Sequence, residues 1–279
     1  MLTGHLRSTL AAATFAALAI SVTACGSSDS GGSLSGGSSA SADLGLIKAG
    51  TLTVCSDVPY PPFEDFDKTT DTGFKGFDVD IVNAIADQLD VAVVIKDSDF
   101  NALQSGLALN AGQCDMSASA MTITPEREQK IGFSDGYYDS EQSLLVAADS
   151  GIASIDDLDG VKVGVQKGTT GEAYANDNAS GADIVVFPSD GEMYAALKAG
   201  QVEALLQDLP VNVNHQNDPK AAGQFKVVET YDTGEVYGLA MKKTNTALIA
   251  AVDKALAQMK SDGDYQKIYD AYFKTDTSS

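Results

Sequence analysis

Hydrophobic and polar positions alternate between two rhythms along most of this chain. Leu52-Thr53-Val54-Cys55 is a short apolar run closed by Asp57 and by Pro59, Pro61 and Pro62, the mark of a buried strand with a turn after it. From Asp78 to Leu89, the residues Ile81, Val82, Ile85 and Leu89 recur on one face of a helix. Val91 to Ile95 is continuously apolar and mostly β-branched, which predicts a strand buried on both faces. Phe100 to Asn110 returns to helical spacing, with Leu103 and Leu107 inward. A second series follows: a strand at 161–165, a helix from Gly168 to about Asp177, a strand at 184–187, a helix at 191–199 and a strand at 204–207. A last strand at 237–241 precedes helices over roughly 245–260 and 264–273. Repeated strand–helix units with short loops predict an α/β protein with mostly parallel sheets, and the length suits two of them.

The segment Cys114 to Arg127 carries the first chemistry. It starts as a short strand and passes through hydroxyls at Ser119 and Thr122. It then reaches a helix start with Thr124 as N-cap and Pro125 at the first helical position. Arg127 falls in that first turn beside unpaired amides, a seat for a planar anion such as a carboxylate. The plainer alternative is an arginine pairing with a surface acid. Ligands in open α/β sheets lie beyond the carboxyl ends of strands. Asp57 to Tyr60, Ser119 to Thr122, Gln166 to Thr170 and Gln207-Asp208 each follow a predicted strand. They converge only if two sheets face one another across a cleft.

The first 24 residues read as an export signal: His5 and Arg7, then an apolar run from Leu10 to Val22 that is too short to span a bilayer. Val22-Thr23-Ala24 before Cys25 looks like a lipobox, which makes Cys25 the lipidated first residue of the mature chain. Residues 26–42 are nearly all small and polar, a flexible tether with a reach of roughly 20–25 Å. The chain carries 18 basic and 39 acidic residues, a formal net charge of −21. That balance argues against nucleic acid and against docking on anionic lipid heads. Cys55 and Cys114 remain as a pair, either a disulfide or two buried thiols, since parallel strands would set them at different heights.

Six motifs appear in order: Tyr60-Pro61-Pro62-Phe63-Glu64, Gly76 to Ile81, Thr122 to Arg127, Val165 to Thr170, Gln207-Asp208 and Tyr237-Gly238. With the lipobox in front, residues 43–274 resemble the extracellular solute-binding proteins of polar-amino-acid ABC importers (family 3, periplasmic-binding-protein type II). That resemblance implies one lobe from 43–141 plus 237–279, a second from 145–230, and hinge crossovers at 142–144 and 231–236. It also implies that Arg127 grips a ligand α-carboxylate, aided by Thr122 and the backbone at Thr169 and Thr170. Asp208 would take the α-ammonium with Ser119 and the backbone at Ala120, where many relatives carry Ser or Gly. Tyr60 and Phe100 would sandwich the side chain. The implied partners are a free polar amino acid and an importer permease, with membrane contact through the N-terminal lipid alone. The protein would be a monomer without cofactor or metal.

Asp57 suits a cationic or amide side chain, whereas Gln166 and Gln207 favour glutamine or a neutral polar ligand; alternatively Asp57 only orders the proline turn. Gly132-Phe133-Ser134-Asp135-Gly136 spells a nucleophile elbow, but it follows a helix, and a triad would hang on His215 alone. Asp65, Asp67 and Asp71 lack the glycine and terminal Glu of a calcium loop. Zinc spacing and a Walker loop are both missing. Two other functions fit the fold: a dehydratase of the cyclohexadienyl type using Asp57 or Glu64 as its acid, and a ligand sensor docking on a receptor.

Overall fold

The computed structural model describes residues 43–274. The expected export signal, Cys25 and the tether lie outside the described residues. The chain begins with β1 (Thr51–Ser56), buried along its whole length. A small hairpin of β2 (Asp65–Phe66) and β3 (Phe74–Lys75) leads into α1 (Phe77–Leu89) and β4 (Ala92–Asp97). Helix α1 forms where the periodicity places it, with Ile81, Val82 and Ile85 fully buried. It starts at Gly76, whose φ is +133° and where a Cβ would lie 2.1 Å from the Phe63 carbonyl oxygen. Only glycine fits such a start.

Next come α2 (Phe100–Gln104), α3 (Leu107–Asn110), β5 (Met116–Ser117), α4 (Pro125–Glu128) and β6 (Gly132–Phe133). The expected single helix over 100–110 is therefore broken. Gly106 takes φ +77° between its halves. The turn rotates Leu107 outward, to 63% exposure, and sends Ala108 and Leu109 into the core instead. Then follow β7 (Tyr138–Ala147), β8 (Lys162–Gln166), α5 (Thr170–Asn178), β9 (Asp183–Phe187), α6 (Asp190–Lys198), β10 (Ala204–Asp208) and α7 (Leu209–Gln216). The chain ends with β11 (Phe225–Tyr237), β12 (Ala240–Met241), α8 (Thr246–Asp262) and α9 (Asp264–Phe273).

Two five-stranded sheets result, in the orders β4-β1-β5-β12-β6 and β11-β7-β10-β8-β9. The parallel part of each is a trio, β4-β1-β5 in one and β10-β8-β9 in the other. Antiparallel ladders add β12 and β6 to the first sheet, β7 and β11 to the second. Strand β4 is an edge strand with Val94 exposed and only Ile95 buried, so its β-branched run reflects strand propensity rather than burial on both faces.

Each sheet has a core on both faces. Leu52 and Val54 of β1 pack with Ile81 and Ile85 of α1 and with Leu248, Val252 and Leu256 of α8. Burial of each such side chain contributes about 2 kcal/mol. The opposite face holds Leu103, Leu109, Met121 and Ile131. In β10, Ala204 and Leu206 join the core that includes Ala175 of α5, whereas Leu205 joins Met193 and Leu197 of α6. This is the two-residue alternation of a strand covered on both sides.

Cys55 and Cys114 are joined in a disulfide, with Cα atoms 5.9 Å apart. The expected difference in height does not arise, because β5 is two residues long and the chain bends at Asp115 just before it. That bend is held by the Asp115 carboxylate, which accepts from the amides of Ile47 at 2.7 Å and Thr53 at 2.9 Å.

The long strands β7 and β11, which the periodicity does not single out, carry the chain between the sheets. They pair from Phe225 opposite Ala147 to Tyr237 opposite Tyr138, with register shifts between Val227 and Glu229 and between Tyr231 and Glu235. Expected strand 237–241 is split at Gly238, the first part closing β11 and the second forming β12.

Candidate functional site

All eleven residues expected at the site line one pocket: Asp57, Tyr60, Phe100, Ser119, Ala120, Thr122, Arg127, Gln166, Thr169, Thr170 and Asp208. They arrive from strand ends and helix starts of both sheets. The free cavity among them is only about 10 Å³, so the lining side chains close on one another.

Arg127 is held by the helix start read from the sequence. Thr124 caps α4, its hydroxyl accepting from the Arg127 amide at 3.2 Å, with Pro125 at the first position. The guanidinium is 4% exposed. It donates to the Thr122 carbonyl at 2.7 Å and to the Gly168 carbonyl at 2.9 Å, and its Cζ lies 5.3 Å from the Phe100 ring centre. Burial lowers its pKa, opposed by the charges of Asp208 and Glu235, and a guanidinium stays protonated regardless. Among the described residues it makes no salt bridge. The surface-pair alternative is therefore excluded: this is a buried cation facing carbonyl dipoles and a ring. Beside it, Thr169 caps α5, accepting from the Glu172 amide at 3.1 Å, so the positive end of that helix also faces the pocket.

The acidic end is equally buried. Asp208 accepts from Tyr60 at 2.9 Å and from Tyr237 and Gln142, each at 2.5 Å. Burial pushes its carboxyl up to about 6, the charge of Glu235 adds to this, and the three donors oppose it. Asp57 accepts from Gln166 at 2.5 Å and is pushed up to about 7 by burial, with Asp99, Asp97 and Asp190 adding repulsion. Among the described residues, neither carboxylate forms a salt bridge.

Behind the pocket lies a layer the sequence did not assign to it. Ala120 has φ +43°, and its amide donates to Asp78 at 2.8 Å. Its backbone contact is thereby narrowed to the carbonyl, and its left-handed conformation is one that glycine adopts at less cost. Asp78 also accepts from Tyr137 at 2.8 Å, so the Gly76–Ile81 motif anchors the pocket floor as well as starting α1. Ser119 donates to Glu64 at 2.7 Å and accepts from the Asp57 amide at 3.0 Å. Burial and the neighbouring Asp78 charge hold the Glu64 carboxyl well above its usual range.

Gln207 does not line the pocket. It donates to Asn212 at 3.0 Å and belongs to the packing of α7. Gln142 and Glu235, missed because they sit mid-strand on β7 and β11, bind the pocket's wall. Glu235 accepts from Thr122 and Thr170, each at 2.8 Å. Ser134 is bonded to Leu239 and Asp135, and His215 to Asp190, so the elbow-like spelling has no triad behind it.

A model of the family described as bacterial extracellular solute-binding proteins, family 3, matches residues 52–275. The chain is 34% identical over 231 residues to the lysine/arginine/ornithine-binding periplasmic protein of Escherichia coli strain K12, covering 80% of this chain and 87% of that protein. It is 35% identical over 206 residues to the ABC transporter glutamine-binding protein GlnH of Bacillus subtilis strain 168, covering 72% and 74%. A solved ancestral arginine-binding protein bound to arginine superposes with a TM-score of 0.75 at 37% identity, covering 80% of this chain and 98% of that one.

Proposed function

The chain belongs to the bacterial extracellular solute-binding proteins of family 3, and from that premise we propose that it captures one polar amino acid, glutamine or a basic one, for an ABC importer. One observation carries this reading: a buried guanidinium without an ionic partner and two buried carboxylates without cations share one small pocket. An amino-acid zwitterion supplies the missing charge at each end. Its α-carboxylate would take Arg127 and the start of α5, and its α-ammonium would take Asp208 with Ser119 and the Ala120 carbonyl. A side chain lying between Tyr60 and Phe100 would end at Asp57 and Gln166.

The mechanism is capture without chemistry, and the protein is not an enzyme on this reading. Lobes of 43–141 plus 237–274 and of 145–230 swing on the crossovers at 142–144 and 231–236. Only the closed form makes both sets of contacts, so the ligand stabilises closure. Micromolar affinity asks for about −8 kcal/mol net, within reach of two charge-assisted clusters and an aromatic sandwich. The dehydratase alternative needs a free acid in the cleft, and it is less supported: Glu64 stands behind Ser119, and Asp57 is engaged by Gln166. Val22-Thr23-Ala24-Cys25 supports export and lipid anchoring on the outer face of the membrane, with a monomer presenting closed lobes to a permease. Titration calorimetry of residues 26–279 against the twenty amino acids tests the whole. Tight binding of glutamine or a basic amino acid without turnover is expected, and silence across the panel would overturn it.

A further inference from the structure

Glu235 does not itself line the pocket, yet two of the three side chains hydrogen-bonded to it do. Its Oε2 accepts from the Thr122 hydroxyl and the Thr170 hydroxyl, each at 2.8 Å. Its two oxygens accept from the Gln142 amide at 3.1 and 3.2 Å. Gln142 donates in turn to Asp208 Oδ1 at 2.5 Å, while its own Oε1 is buried without a partner. A hydroxyl has one hydrogen to give. With both hydrogens committed to Glu235, the two threonine oxygens can only accept, as Thr170 does from the Gln142 amide at 3.4 Å. The NH2 end of Gln142 faces acceptors on two sides, Asp208 and Glu235.

We propose that Glu235 is a positioning residue of the amino-acid site: the common acceptor that fixes Thr122, Thr170 and Gln142 and, through Gln142, aims an NH2 donor at Asp208. This rests on the reading of the pocket as an amino-acid site. It leaves the α-carboxylate to Arg127 and the backbone of α5. In Glu235→Gln a single carbonyl oxygen replaces the two that Thr122, Thr170 and Gln142 share, and an NH2 is added among those three donors. The groups facing Asp208 are Tyr60, Tyr237 and Gln142 in contact, with Arg127, Glu64 and Glu235 as charges nearby. Burial and the charge of Glu235 raise the Asp208 carboxyl, and the bonds from Tyr237, Tyr60 and Gln142 lower it.

The test measures L-arginine and L-glutamine affinity of the full chain from pH 4.5 to 8, for Glu235→Gln and for Glu235→Gln in an Asp57→Asn background, with a thermal melt as the folding control. About tenfold weaker binding at pH 7.5 is expected, together with an acid limb moved to lower pH because Asp208 loses a repelling charge. Unchanged affinity and an unchanged limb overturn the inference. The second readout needs no ligand. The Gln142 side-chain amide resonances of the free protein should shift in Glu235→Gln far more than in Glu235→Asp. Equal or absent shifts overturn the positioning role even where wild type binds both amino acids; failure of wild type to bind either would instead strike the reading of the pocket.

Discussion

Gln166, at the end of β8, donates its side-chain amide to the Asp57 carboxylate, at the end of β1, across the line between the two sheets. The two sheets thus meet through a polar bond at the place where a ligand's side chain would end. An amide partner suits Asp57 in either protonation state, because a neutral carboxyl still offers a carbonyl oxygen.

Asp57 gives a prediction with a definite sign. Its folded pKa of about 7 lies above the ordinary 3.8 of the unfolded chain, so the native state binds the extra proton. Stability therefore falls as pH rises from about 4 to about 7 and stays low above that window. Asp57→Asn removes the penalty. The ligand-free variant should be more stable than wild type at pH 8, by about 2 kcal/mol, and equal to it near pH 4 in urea unfolding. It should also bind a basic amino acid at least tenfold more weakly.

Arg127→Ala should reduce affinity for the amino acid by 100-fold or more, since truncating one member of a buried charged pair costs about 2–5 kcal/mol. The apo protein should stay folded, because the guanidinium bonds only two carbonyls and a ring face. Calorimetry and circular dichroism together check this; affinity within threefold of wild type would sink the carboxylate seat.

Gly76→Ala should destabilise by more than 3 kcal/mol, seen as a lower urea midpoint. The added carbon would press on backbone at the Phe63 carbonyl, which cannot swing away as a side chain can.

Replacing Cys55 and Cys114 together by serine opens a closed loop spanning 59 positions. The expected loss is about 3–4 kcal/mol of stability. Neither cysteine lines the pocket, so amino-acid affinity measured where the variant is folded should change less than threefold.

The pocket was legible because its residues occupy places with strong local grammar. Thr124-Pro125 announces a helix start, the prolines after Asp57 announce a turn, and Gly168-Thr169-Thr170 announces another helix. The supporting layer was hidden for the opposite reason. Gln142 and Glu235 lie inside strands, where a polar residue ordinarily points to water, and nothing local says that β7 and β11 run between two sheets. Leu107 misled because one glycine before it reset the helical phase. Val94 misled because propensity for a strand and burial within one share the same letters. Gln207 follows the alternation of β10 to the side of Asn212, one residue short of Asp208, which lines the pocket.

The first sheet takes β1, β4, β5 and β6 from the early chain and β12 from residues 240–241, and its core needs Leu248, Val252 and Leu256 of α8. The second sheet is contiguous from Tyr138 to Tyr237. During synthesis or threading across a membrane, the second half-structure has all its strands as soon as residue 237 emerges. The part that holds Arg127 waits for β12 and α8. A carboxy-terminal truncation therefore strikes the amino-terminal half of the molecule, and until the final helix arrives the polypeptide remains incomplete at the face where it would grip its cargo.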